Sequence, residues 1–147
     1  MPPSTTSLFP DINVWVALTY EGHVRHADAA NWFATLSPDT IFAFCRFTQL
    51  GLLRLLTAEV VMRDEVMTQP QAWAAYDRWL KDPRVEFIAE PPEIETRFRA
   101  LTRLRQPATK DWADSYLAAF ATVGLLTLVT FDRGLRSKTK SVIVPGE

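Results

Sequence analysis

The sequence predicts an α/β fold in which a mostly parallel sheet carries helices on both faces. Three observations point there. Short apolar segments of strand length alternate with helical patterns of about 10 to 15 residues. Turn-forming Pro, Gly, Asn and Asp residues mark the junctions between them. Neither an internal repeat nor a linker interrupts the 147 residues, so one domain over residues 1–147 is expected. At this length a folded chain hides about 68–70% of its unfolded surface, and 48% apolar residues are enough to fill such a core.

In chain order, Ser7 to Phe9 is a short apolar strand, and Asp11 or Asn13 caps the helix that Val14, Trp15, Ala17 and Leu18 begin. A helix follows from about His26 to Leu36 with Ala27, Ala30, Phe33 and Ala34 as its inner stripe, and Ser37-Pro38-Asp39 ends it. Ile41 to Phe44 is the second strand. From Cys45 to Thr57 the positions Phe47, Leu50, Leu53 and Leu56, with Leu52 and Leu55 beside them, mark a largely buried helix. Residues 58–69 read as helix and loop. Gln71 to Lys81 repeats the helical pattern with Trp73, Tyr76 and Leu80, and Val85 to Ala89 is a third strand. Pro91 and Pro92 introduce a helix through about Leu104, with Ile94, Phe98, Leu101 and Leu104 inward. After a loop at Gln106 to Thr109, a last helix runs from about Lys110 to Val123 and stops at Gly124. Leu126 to Phe131 is strongly β-prone, and Ser141 to Val144 closes as a fifth strand.

Composition removes several function classes. The 16 basic and 17 acidic side chains leave a net charge of −1, so nucleic-acid affinity has to come from local patches. The lone Cys45 excludes an intrachain disulfide and a thiolate zinc site. The first 22 residues hold no Lys or Arg and are broken by Pro2, Pro3 and Pro10, which is not the pattern of a secretory signal, so a cytoplasmic location is expected. The longest uncharged run, Ser115 to Phe131, falls short of the ~20 apolar residues of a membrane span. His23 and His26 stand one helical turn apart, but no second ligand pair accompanies them, and they read as a loop entering a helix.

The chemistry-bearing pattern is acidic. Asp11 lies just past the first strand, Asp132 just past the Leu126 to Phe131 strand, and Asp114 one turn into the last helix, with Asp111 a turn earlier on the same face. If the two strands are parallel neighbours, these carboxyls share one sheet edge, where α/β folds bind ligands. Two like charges 4 Å apart repel by about 4 kcal/mol at an effective dielectric near 20, which calls for a cation or for raised pKa values. Oxygen-only ligands favour Mg²⁺ or Mn²⁺ over zinc, and such an ion serves phosphodiester hydrolysis. Each acid also has a structural reading: Asp11 and Asp111 as helix caps, Asp132 as a turn residue before Arg133-Gly134. Asp114, inside the helical turn, is harder to read that way.

Four segments in order resemble the PIN-domain ribonucleases, and among them the VapC-type toxins of bacterial toxin–antitoxin systems. They are Phe9-Pro10-Asp11-Ile12-Asn13-Val14-Trp15-Val16-Ala17-Leu18, the stretch from Cys45 through Thr48-Gln49-Leu50 to Thr57, Asp114-Ser115-Tyr116-Leu117-Ala118-Ala119, and Leu128-Val129-Thr130-Phe131-Asp132. The resemblance implies a three-layer α/β/α sandwich and Mg²⁺- or Mn²⁺-dependent RNA cleavage by a metal-activated water, leaving a 5′-phosphate and a 3′-hydroxyl. It places Asp11, Asp114 and Asp132 on the family's metal-site acids, and implies a cognate antitoxin and a homodimer. Where many members carry glutamate in the third helix, this chain has Gln49, whose amide brings no charge. Asp111 is a candidate to restore that charge, and Asn13 and Thr130 are candidates to orient carboxylates or waters.

Two basic tracts flank the acids: Arg97, Arg99, Arg103, Arg105 and Lys110, and Arg133, Arg136, Lys138 and Lys140. They suit an RNA backbone, or else form a solvated surface. Two rivals remain open. One is a PIN-fold RNA- or protein-binding module that has lost turnover through Gln49. The other is an aspartyl-phosphate phosphotransferase with Asp11 as nucleophile, which would want a second Asp where Asn13 stands.

Overall fold

The computed structural model describes residues 6–139 and 142–147. Its sheet is built from β1 (Ser7–Pro10), β2 (Ile41–Phe44), β3 (Val85–Phe87), β4 (Thr127–Val129) and β5 (Val142–Ile143), in the order β3-β2-β1-β4-β5 with every pairing parallel. The helices are α1 (Ile12–Thr19), α2 (His26–Ala34), α3 (Arg46–Leu56), α4 (Glu59–Met62), α5 (Gln69–Leu80), α6 (Ile94–Leu101) and α7 (Asp111–Val123). Single 3₁₀ turns occupy Arg63–Glu65 and Arg133–Ser137.

Alternation along the strands divides the core into two layers of packing. Leu8, Phe42, Phe44 and Val129 join the side chains of α1, α3 and α5 in one cluster. Phe9, Ala43 and Leu128 join those of α6 and α7 in the other. This is the expected α/β/α sandwich. The first layer is aromatic: Trp15 stacks on Phe44 with ring centroids 3.8 Å apart and meets Trp79 edge-on. A Cβ at Gly51 would fall 2.2 Å from Ile12 Cδ1, so the absence of a side chain there lets α3 approach the first turn of α1.

Several boundaries and faces differ from the sequence reading. In α3 the inward stripe is Thr48, Gln49, Leu52 and Leu56, while Leu50 is 58% exposed; a helix with leucines all round does not reveal its phase. α2 turns Ala29, with partly buried Trp32 and Phe33, inward and leaves Ala27 and Ala34 outside. α5 starts two residues early because Thr68 and Gln71 form a capping box, and Trp73 and Leu80 are partly exposed. α6 ends at Leu101, where Thr102 Oγ1 bonds back to the Phe98 carbonyl, so Leu104 lies outside the helix and exposed. Gly124 caps α7 in a right-handed conformation, and the left-handed residue is Leu125. Ser141, expected to open β5, lies outside the described residues.

Candidate active site

Winding runs from β1 outward to β3 and then returns to β4 on the other side of β1, so the topology reverses between β1 and β4. An aspartate follows each strand at that crevice, Asp11 directly after β1 and Asp132 three residues after β4. Asp11 is 8% exposed and caps α1: its Oδ1 accepts from Val14 N (3.1 Å) and its Oδ2 from Thr130 Oγ1 (2.5 Å). Its own N–H donates to the Val129 carbonyl (2.8 Å), which ties the turn to β4. Burial raises the Asp11 pKa to about 6. The Asp114 charge adds to the rise, and the hydrogen bonds from Thr130 and the backbone only moderate it.

Asp132 follows β4, is exposed, and caps the 3₁₀ turn Arg133–Ser137 by accepting from Gly134 N (2.8 Å). Buried Thr130 links the two acids, donating to Asp11 and accepting from Asp132 N (3.0 Å). Thr130 was legible from the sequence as an orienting residue; Asn13 is exposed inside α1. Asp114, partly buried in the first turn of α7, has its pKa raised by burial and then by Asp132 and Asp111. Asp114 therefore lies within electrostatic reach of Asp11 on one side and of Asp132 on the other.

Asp111 sits differently. Its carboxylate pairs with Lys138 Nζ (2.7 Å) and accepts from Ser115 Oγ (3.2 Å), and these partners pull its pKa down, the Lys138 bond most. It is no side-chain cap: Lys110 holds the cap position of α7. Ser115 and Lys138 are the members of the site that sequence reasoning did not pair with it. The i, i+4 spacing of Asp111 and Ser115 was the available signal. Gln49 is buried, but its Oε1 accepts from Arg46 (2.6 Å) and its side chain meets the Tyr76 hydroxyl. Arg46 in turn lies over the Phe87 ring, 4.8 Å from its centroid.

Both histidines are used locally, His26 Nδ1 against the Ala17 carbonyl (2.6 Å) and His23 Nδ1 accepting from Arg25 N (2.9 Å). Of the basic tracts, Arg99 pairs with Glu95, Arg133 and Arg136 with Glu147, and Lys138 with Asp111. Lys140 lies outside the described residues.

The donor set of Asp11, Asp114 and Asp132 suits a hard divalent cation: three carboxyls, two of them carrying pKa values raised by burial and then by neighbouring aspartates. Among the described residues no three His, Cys, Asp or Glu side chains stand close enough together to hold a metal ion as placed. The fit is one of chemistry and location, carboxyl donors at the β1–β4 reversal.

Fold and site together define an α/β protein whose acids gather at the topological reversal of a parallel sheet. The chain belongs to the PIN domain family, which matches residues 8–140. It is 43% identical to ribonuclease VapC41 of Mycobacterium tuberculosis over 129 residues, 85% of this chain and 88% of the relative. Among solved structures it resembles M. tuberculosis VapC20, a sarcin-ricin loop cleaving toxin, with a TM-score of 0.65 at 19% identity over 88% of this chain and 93% of that one. It also resembles VapBC2 of Rickettsia felis, solved with a DNA fragment from its promoter, with a TM-score of 0.62 at 17% identity over 95% and 97%. These two likenesses establish the fold; the VapC41 identity makes the chain a homologue of VapC ribonuclease toxins.

Proposed function

We propose that the chain is a metal-dependent endoribonuclease toxin, with Asp11, Asp114 and Asp132 holding Mg²⁺ or Mn²⁺. The observation that carries this reading is the set of three carboxyls at the β1–β4 reversal, none of them in a salt bridge among the described residues, in a homologue of VapC41. When bound, the cation polarises a phosphoryl oxygen and lowers the pKa of an attacking water. The chain's own work is positional. Thr130 and Val14 N fix the Asp11 carboxylate, and Gly134 N fixes that of Asp132. Asp111 contributes through Lys138, which fastens the end of the Arg133–Ser137 turn to α7 and so holds Asp132 opposite Asp114. Gln49 brings no charge and positions Arg46. The basic tracts on either side take the phosphates of an RNA strand.

The reading includes a cognate antitoxin as inhibitor, in keeping with the VapBC2 neighbour, and a homodimer acting in the cytoplasm. No helix among the described residues is long and apolar enough to cross a membrane. The deciding experiment combines growth and biochemistry. Expression should arrest growth, co-expression of the cognate antitoxin should rescue it, and Asp11→Ala should abolish the arrest, while purified protein cuts single-stranded RNA with Mn²⁺ and not with EDTA. RNA that is retained but left uncut in Mn²⁺ would favour a binding module.

A further inference from the structure

A cavity of about 630 Å³ lies between α7, α6 and the end of the Arg133–Ser137 turn with the residues after it, and none of the three acids lines it. Its size is that of a small-ligand site. Arg97, Arg136 and Lys138 line it, no Asp or Glu does, and the Thr122 and Thr139 hydroxyls stand 3.2 Å apart on its wall. Arg97 has no acidic partner among the described residues. Arg136 and Lys138 each have one, yet a guanidinium offers five N–H donors and an ammonium three, so both keep donors for a second anion. Leu125 forms part of the lining, 89% exposed in a left-handed conformation (φ 57°), a costly placement for a large apolar side chain.

Cations and hydroxyls are the groups that take phosphate and sugar, and an exposed apolar side chain is a platform for a base. Lys138 belongs both to the cavity and to the ion pair beside Asp114. Thr122 stands eight residues beyond Asp114 on α7, about 12 Å along the helix axis, a span that nucleotides adjoining a cut can bridge. We propose that this cavity is a subsite for a nucleotide of the bound RNA flanking the cleaved bond. Its phosphate lies on Arg97, Arg136 and Lys138, and its base lies against Leu125 and the threonine hydroxyls. The inference rests on the nuclease reading and adds where the strand runs.

The test uses the full chain in EDTA, so that binding is read without cleavage, and titrates adenosine 5′-monophosphate, adenosine and inorganic phosphate while following backbone amide shifts. The monophosphate should shift Thr122, Leu125 and Thr139 and bind at least tenfold more tightly than either adenosine or phosphate. Arg97→Gln, on an exposed helix face, should weaken it at least fivefold, and Thr122→Trp, which fills the cavity, should abolish it. In Mn²⁺ both variants should raise KM for RNA more than they lower kcat. Equal binding of phosphate and nucleotide, shifts confined to other residues, or an unchanged KM in both variants of an RNA-cutting protein would overturn the subsite and leave the nuclease reading standing. Failure of the wild type to cut RNA would instead strike the nuclease reading itself.

Discussion

Asp111 and Asp114 stand three residues apart in the first turn of α7 and are held in opposite electrostatic states. Asp111 faces Lys138 and Ser115, and its pKa is lowered. Asp114 is partly buried beside other carboxyls, and burial and then those charges raise its pKa against a smaller pull from Lys138. Both gain from the positive end of the helix, so the difference comes from what the rest of the fold delivers to each. The 3₁₀ turn brings Asp132, which caps its start, to Asp114 and Lys138, which caps its end, to Asp111. A fold that spends a cation on Asp111 while leaving Asp114 with like charges leaves charge unbalanced at one place, where an external cation has most to gain.

Substituting the two acids separately should produce the widest divergence. Asp114→Asn is expected to lower Mn²⁺-dependent RNA cleavage by more than about 100-fold, since even residues that only orient a metal's ligands are worth 10- to 100-fold. Asp111→Asn should cost less than about 10-fold, because the lost group is already neutralised. Single-turnover cleavage of one RNA by the two variants measures the ratio, and equal losses would make Asp111 a ligand in its own right.

Asp11 extends the contrast from activity to stability. Its pKa is about 6 in the fold against 3.8 for the ordinary side chain, so the protonated form is the one the fold favours. That contribution is complete below pH 3.8 and is lost as pH rises through 6; above it the ionised carboxyl costs about 3 kcal/mol in the metal-free protein. Asn preserves a cap at this position. Metal-free Asp11→Asn should therefore unfold at higher urea than the wild type at pH 7, by up to about 3 kcal/mol, with the gap closing by pH 4. A gap independent of pH would show that Asp11 carries no such strain.

Elements with sharp ends were legible from sequence. β1, β2 and α7 fall within about a residue of their expected bounds because short continuous apolar runs mark the strands and Gly124 stops the helix. The faces of α2 and α3 were not, since alanines and leucines surround both helices and only tertiary packing selects a side. The same division holds at the site. Asp11 and Asp132 announce themselves as acids at strand ends, and Thr130 as the polar residue between strand and acid. The Asp111–Lys138 pair joins residues 27 apart in sequence, and no local pattern carries a contact that only the path of the returning chain creates.

Gln49 should show the smallest effect, and its sign discriminates between two roles. Its carbonyl oxygen is taken by Arg46, which is itself stacked on Phe87, and its other neighbour is the Tyr76 hydroxyl rather than an aspartate. A carboxylate placed there by Gln49→Glu meets Arg46 first, and a charge-assisted bond to that guanidinium satisfies it where it stands. Mn²⁺ affinity and cleavage rate should then change by less than about threefold, a difference of roughly 0.6 kcal/mol. A tenfold gain in metal affinity would mean that α3 turns this side chain into the acidic crevice once a cation is present. Glutamine at this position would then be a withheld ligand, and the helix from β2 would count with β1, β4 and α7 as part of the metal's surroundings.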